Sequence, residues 1–239
     1  MNASAPCPAA VAGLVTDWVA DGRPGQEPIP WPRDRWLPAP GAHPRYPNVA
    51  GFRDLLEALP NPIGRDDVRA HARRAGDSPA AALDAFVASM VWGFGRTGYA
   101  VFRTNRILAA NPDAGQRLHH IAKVLTDEGP LEGYRAMANQ QRLTWLGPAF
   151  GTKYLHFCSD AHQPALVLDD LVATWLNEHC GTRLRPTRWS TAQYERYLTD
   201  MAAWSDGRCT PTELETLVFV AEASRRNGNQ WAPQPAGTP

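Results

Sequence analysis

The stretch Leu146-Gly147-Pro148-Ala149-Phe150-Gly151-Thr152-Lys153 decides how this chain is read. Its glycines and proline predict a tight turn between two helices. Gly151 is expected to open the second helix, which then runs from Thr152 to about Ser159. The first backbone N–H groups of a helix have no partner within it, and the aligned peptide dipoles add partial positive charge there. An anion in front of such a turn is favoured, and a DNA phosphate is one. Gly147, Phe150, Gly151 and Thr152 are therefore candidate DNA contacts, with Lys153 immediately behind them.

Working outward, the composition narrows the alternatives. The chain has 239 residues, 44% of them hydrophobic, enough for one large or two small domains with a real core. Strand-favouring runs are scarce and alanine-rich amphipathic stretches are common, which predicts a mostly helical protein. No apolar run approaches the roughly 18 residues of a membrane span. Residues 1–10 lack the basic start and long apolar core of a signal peptide, so a soluble cytoplasmic protein is expected. Cys7, Cys158, Cys180 and Cys209 form no C-x-x-C pair, which argues against a zinc site and a disulfide framework. Formal net charge is zero, so nothing global draws the chain to nucleic acid. Of 24 basic residues only Lys123 and Lys153 are lysines. An amine can lose its proton and attack carbon, which guanidinium cannot.

Along the chain, helices are predicted over residues 9–20, 51–59, 65–75, 79–92, 99–109, from Asn111-Pro112 to about 126, 130–141, 169–179, 191–204 and 212–226. Ser78 with Pro79 is a helix start, and so is Thr210-Pro211 followed by Glu213. Prolines crowd residues 22–47 and block regular structure. Trp31, Trp36 and Tyr46 predict that this wrap packs onto a core. The divisions expected are 1–47 (helix and Pro-rich wrap), 48–226 (helical domain with its hairpin at 143–153) and 227–239 (tail).

The order of these features resembles a known family. In helix-hairpin-helix DNA glycosylases, a hairpin of the Leu-Pro-Gly-Val-Gly type precedes the catalytic region. In the 8-oxoguanine DNA glycosylase (OGG)-like branch it runs directly into Gly-Thr-Lys. Gly151-Thr152-Lys153 stand in that place, with Leu146 and Pro148 in hairpin positions; Ala149 replaces the first hairpin glycine. The family then sets an aspartate at the next helix start after a short apolar run. Ala165-Leu166-Val167-Leu168-Asp169 matches, 16 residues after Lys153. The resemblance spans about residues 80–225 and is specific over 146–169.

It implies an all-α fold of two helical lobes with the active site in the cleft between them, without the extra N-terminal β-domain of the eukaryotic enzymes. It implies that Lys153 attacks C1′ of the sugar and that Asp169, or Asp170 if the register slips by one, stabilises the oxocarbenium. The implied partner is double-stranded DNA containing a modified base, met by a monomer in a bacterial cytoplasm and nucleoid-associated when bound. No metal or cofactor is expected, beyond room for a monovalent cation at the hairpin backbone.

Other features divide between functional and plain readings. Gly93-Phe94-Gly95-Arg96-Thr97-Gly98 has the literal dinucleotide-loop pattern, but a helix precedes it where a strand is required, and Asp113 comes too early. In the glycosylase frame this loop faces the duplex. Arg96 and Tyr99 are then candidates to fill the hole left by an extruded base. Arg96, Arg103 and Arg106, with no acid among them, suit phosphates; a plain surface loop is the alternative. Arg183, Arg185 and Arg188 form a second basic run, in contact with DNA or simply solvated. His156 either lines the base pocket or is packed and satisfied. Family members that remove 8-oxoguanine sandwich it between a cysteine four residues after the lysine and a C-terminal aromatic. Here Phe157 takes the first place, beside Cys158, and Phe219 is the candidate for the second. That departure leaves the base open, since small bacterial relatives of the fold remove other modified bases, including modified cytosines of phage DNA. A DNA-binding hairpin module without chemistry, and a cofactor enzyme using the 93–98 loop, are the readings from other classes.

Overall fold

The computed structural model describes residues 6–37, 46–97, 99–205 and 207–227. Thirteen helices follow one another among them, without a strand. They are α1 (Ala9–Ala20), α2 (Arg33–Trp36), α3 (Pro47–Ala50), α4 (Arg53–Ala58), α5 (Arg65–Ala72), α6 (Pro79–Phe94), α7 (Ala100–Ala110), α8 (Ala114–Glu128), α9 (Pro130–Ala138), α10 (Pro148–Cys158), α11 (Asp170–Cys180), α12 (Thr191–Ser205) and α13 (Pro211–Asn227). Ile29 and Ile63 add an isolated antiparallel bridge. The fold is all-α, as the sequence predicts.

The helices fall into two compact units. One is the continuous segment Pro28–Ala165; the other joins Met1–Glu27 to Leu166–Pro239.

The middle unit is built around α6. Ser78 caps it, its Oγ accepting from Ala81 N at 3.2 Å, with Pro79 at the first helical position. Its side chains are apolar on nearly every face, and a helix of that kind must be surrounded. Accordingly α5, α8 and α10 pack around it, and Phe86, Val87, Met90 and Val91 are fully buried. Burial of each such side chain contributes roughly 1.5–3 kcal/mol. The Pro-rich wrap packs down as expected where it is described. Trp31 and Trp36 are buried, and Trp31 Nε1 donates to Pro60 O at 2.8 Å. Pro38, Pro40, Pro44 and Gly98 lie outside the described residues.

Three local expectations change. The hairpin helix begins at Pro148 with Gly147 as its cap, one turn before the predicted Thr152. Proline at the first position has the φ the helix needs and no N–H to orphan, and Gly151 N already donates to Gly147 O at 2.9 Å. Lys153 is thus the sixth helical residue, in the second turn. Helix α6 runs on through Phe94, so Gly93 is helical and the predicted loop shrinks; Gly95, at φ +49°, ends the helix. Asn111 does not cap α8. Its Nδ2 donates to Ile107 O and Thr144 O, and its Oδ1 accepts from Thr144 N, clasping the chain just before the hairpin.

In the other unit α13 packs on α11, α12 and α1. The apolar run before Asp169 is buried throughout, and two tyrosines of α12 hold it. Tyr194 OH donates to Leu166 O at 2.9 Å and Tyr197 OH to Val167 O at 2.8 Å. A buried extended segment has no helix to satisfy its carbonyls, and the phenols supply the missing donors.

Candidate active site

Lys153 is buried, with 5% of its surface exposed, on the face of α10 turned to α6. Lysine is almost never buried to that degree. Its stem passes the bare backbone of Gly93 and the ring of Phe150, and Nζ lies 5.5 Å from that ring's centre and 3.5 Å from Ala149 O. Phe150 is itself stacked on Phe94, centroids 4.0 Å apart and planes 24° from parallel.

The other nucleophile types on α10 are engaged. Thr152 Oγ1 donates to Pro148 O at 2.8 Å and is fully buried. Tyr154 OH donates to Leu118 O, and burial pushes its phenol well above the ordinary value. Burial pushes the Cys158 thiol up to about 12. Lys153, whose Nζ donates to Ala149 O, is the amine nucleophile type on this helix.

The hairpin in front divides its predicted contacts. Gly151 and Thr152 are interior, bonded to Gly147 and Pro148. Gly147 and Phe150 stay half-exposed, and the helix start leaves the Ala149 and Phe150 N–H groups as those without an intrahelical carbonyl. The hairpin carbonyls of Leu143, Thr144 and Gly147 each accept a hydrogen bond within the unit.

Behind α10 sits His156, 1% exposed. Its Nδ1 lies 2.8 Å from Ala165 O, which fixes the proton there, and the bare Nε2 accepts from Arg65 at 2.9 Å and Arg69 at 3.2 Å. Burial, then the two guanidiniums, hold this imidazole well below its ordinary value. Phe157 is buried edge-on against Trp92, centroids 5.0 Å apart. Both residues face the interior.

Around the start of α7 the sequence-predicted Arg96, Tyr99 and Arg103 lie at the surface, Tyr99 half-exposed. The structure sets two further residues, Phe102 and Trp145, beside the sequence-predicted Tyr99, Arg103 and Arg106. Arg106 sits over Trp145, its guanidinium carbon 3.4 Å from the ring centroid; the Phe102 and Tyr99 ring centroids are 5.2 Å apart; and the Arg103 guanidinium carbon is 5.9 Å from the Tyr99 ring centroid. Trp145, 52% exposed, has φ +70°, a conformation that costs a non-glycine residue about 1–3 kcal/mol. An exposed tryptophan in a turn was the signal available in sequence; its positive φ was not.

Asp169 belongs to the other unit. It caps α11, Oδ1 accepting from Leu171 N and Val172 N, each at 3.1 Å. Asp170, the alternative carboxylate, is exposed and paired with Arg226 at 2.6 Å. Phe219 is half-buried on α13. Arg183, Arg185 and Arg188 are exposed.

This all-helical architecture is the fold class of the helical DNA glycosylases. Residues 22–219 match the family described as "Putative 8-oxoguanine DNA glycosylase OGG-like protein", and the chain belongs to that family. Membership points to a DNA glycosylase, an enzyme whose substrate is DNA. No curated protein and no solved structure matches significantly. No helix among the described residues is long and apolar enough to cross a membrane.

Proposed function

We propose that this chain flips a modified base out of duplex DNA and cleaves its N-glycosidic bond, with Lys153 as nucleophile and Asp169 as the electrostatic partner. The observation that carries the reading is a buried lysine, one of two in the chain, on the helix that the hairpin starts. As the C1′–N bond breaks, its electron pair leaves with the base and positive charge grows on the sugar. A carboxylate nearby lowers the energy of that state. The amine then bonds to C1′, loses its protons and opens the sugar to a Schiff base. Loss of a C2′ proton from that intermediate expels the 3′-phosphate and nicks the strand.

The Asp169 cap is compatible with this role, because two backbone N–H bonds hold the carboxylate in one orientation. Asp170 serves as the ion-pair partner of Arg226. Gly147 and Phe150 offer the hairpin backbone to a phosphate, while Gly151 and Thr152 shape the turn from within. Arg96, Tyr99, Arg103, Arg106 and Trp145 meet the duplex, where guanidinium and aromatic faces suit phosphates and unstacked bases. His156 and Phe157 brace α10 from behind, and Phe219 is the aromatic assigned to the extruded base. The cysteine that sandwiches 8-oxoguanine in the resembling enzymes is replaced here by Phe157, and its loss favours a base other than 8-oxoguanine.

The test is borohydride trapping on labelled duplexes holding 8-oxoguanine, an abasic site, or modified cytosines including glucosylated ones, with wild type and Lys153→Gln. A covalent adduct with one substrate, absent in the variant, is expected. Base release without any adduct would remove the lysine step and leave Asp169-assisted hydrolysis. Duplex binding with neither adduct nor release across the panel would overturn the enzyme reading in favour of a DNA-binding module.

A further inference from the structure

Gly93 occupies the next-to-last position of α6. Glycine inside a helix is less stable than alanine, and the backbone here is right-handed, so conformation does not demand it. Space does. A Cβ at residue 93 would lie 2.6 Å from Lys153 Cδ, 3.1 Å from Cε and 3.4 Å from Phe150 Cε1. The atoms met are the middle of a buried stem, with the Phe150 ring on the same side and Phe94 stacked behind that ring. Gly93 and Gly95, first read with Gly98 as one loop motif, therefore do different jobs: Gly95 ends the helix at φ +49°, and Gly93 leaves a groove.

We propose that Gly93 is a positioning residue, its bare backbone forming one wall of a slot, with Phe150 as another, that fixes where the Lys153 amine emerges. The inference rests on the reading of Lys153 as nucleophile. Relieving a 2.6 Å contact to at least 3.4 Å moves the stem by about 1 Å, and a misplacement of that size costs about 100-fold in rate when a nucleophile must meet its carbon in line.

The experiment is a thermal and kinetic comparison of wild type, Gly93→Ala, Lys153→Ala and the double variant. Truncating Lys153 removes both atoms that the new methyl meets most closely. Gly93→Ala should lower Tm in the wild-type background. In the Lys153→Ala background it should raise Tm by about 1–3 °C, the ordinary gain from alanine in an unobstructed helix. In single-turnover trapping, Gly93→Ala should slow adduct formation by about 100-fold while duplex affinity is unchanged. Equal Tm changes in the two backgrounds, or an undiminished trapping rate, would overturn the slot. Should the Tm changes differ in sign while wild type traps no substrate of the panel, the slot stands and the catalytic reading of Lys153 falls.

Discussion

The guanidinium carbon of Arg106 sits over the indole of Trp145, 3.4 Å from the ring centroid, at the turn that leads into the hairpin. The stacked ring holds the cation in place while leaving its edge open to hydrogen bonds, an arrangement suited to a phosphate. Arg106→Ala should weaken duplex binding and reduce the slope of log affinity against log salt by about 1, measured by fluorescence anisotropy. Trp145→Gly and Trp145→Ala should weaken binding alike. Because φ at this position is +70°, the glycine variant should be the more stable of the two by about 1 kcal/mol.

Asp169 has two separable tasks. Asp169→Ala loses the α11 cap and should cost about 1 kcal/mol in chemical denaturation. Asp169→Asn keeps a capping oxygen and should hold its stability, yet lose base release in single-turnover assays as far as the alanine variant does. Asp170→Asn breaks an exposed ion pair and should cost less than about 1 kcal/mol, with base release intact. A stable, active Asp169→Asn enzyme would remove this carboxylate from the chemistry.

His156 makes stability depend on pH in a defined window. The imidazole is held well below its ordinary value of 6.5 by burial and by Arg65 and Arg69. In the unfolded chain it takes its proton near pH 6.5, while the folded protein refuses that proton until far lower. Above pH 6.5 both states are neutral and the group contributes no slope. Below it the unfolded state binds more protons, so stability falls with pH until the lowered folded value is passed. Glu222, held below its ordinary 4.5 by its hydrogen bond from Arg225, adds its own loss only at more acidic pH. His156→Gln, whose amide can donate to Ala165 and accept from arginine, should flatten Tm against pH between about 6.5 and 5. An unchanged slope would place the proton uptake elsewhere.

The four cysteines are free thiols of unequal reach. Burial pushes Cys158 and Cys180 to about 12, against 9.0 for an ordinary thiol. Alkylation requires thiolate, so both should label about a thousandfold slower than a thiol of ordinary acidity. Exposed Cys7 should label first in mass-spectrometric time courses, and rapid labelling of Cys158 in folded protein would contradict its burial.

Much of this was legible in sequence because the signals were local. Ser78-Pro79 and Thr210-Pro211 with Glu213 read as helix starts, and in both the cap bonds are present. Apolar periodicity gave the helices, and the scarcity of lysine drew attention to Lys153. The missed start of α10 came from reading Pro148 as a breaker; proline serves equally well at a first helical position. The role of Gly93 could not be read because it depends on a stem arriving from 60 residues further along the chain. The pairing of Arg106 with Trp145 was hidden for the same reason. The partners of the His156 ring nitrogens were hidden too, because Arg65, Arg69 and Ala165 come from other segments of the chain.

The discontinuous unit carries a consequence for synthesis. Helix α1 is synthesised before the middle unit, yet it packs on α13, which is synthesised after it. The middle unit, Pro28–Ala165, is an uninterrupted segment, and all of it, with its lysine groove, is synthesised before α11. At roughly 5–20 residues per second, α1 waits on the order of ten seconds or more for its mate. During that interval the apolar side of α1, with Val11 and Val15, has no native cover from α13, which makes it the surface that a chaperone or a premature aggregate would meet first.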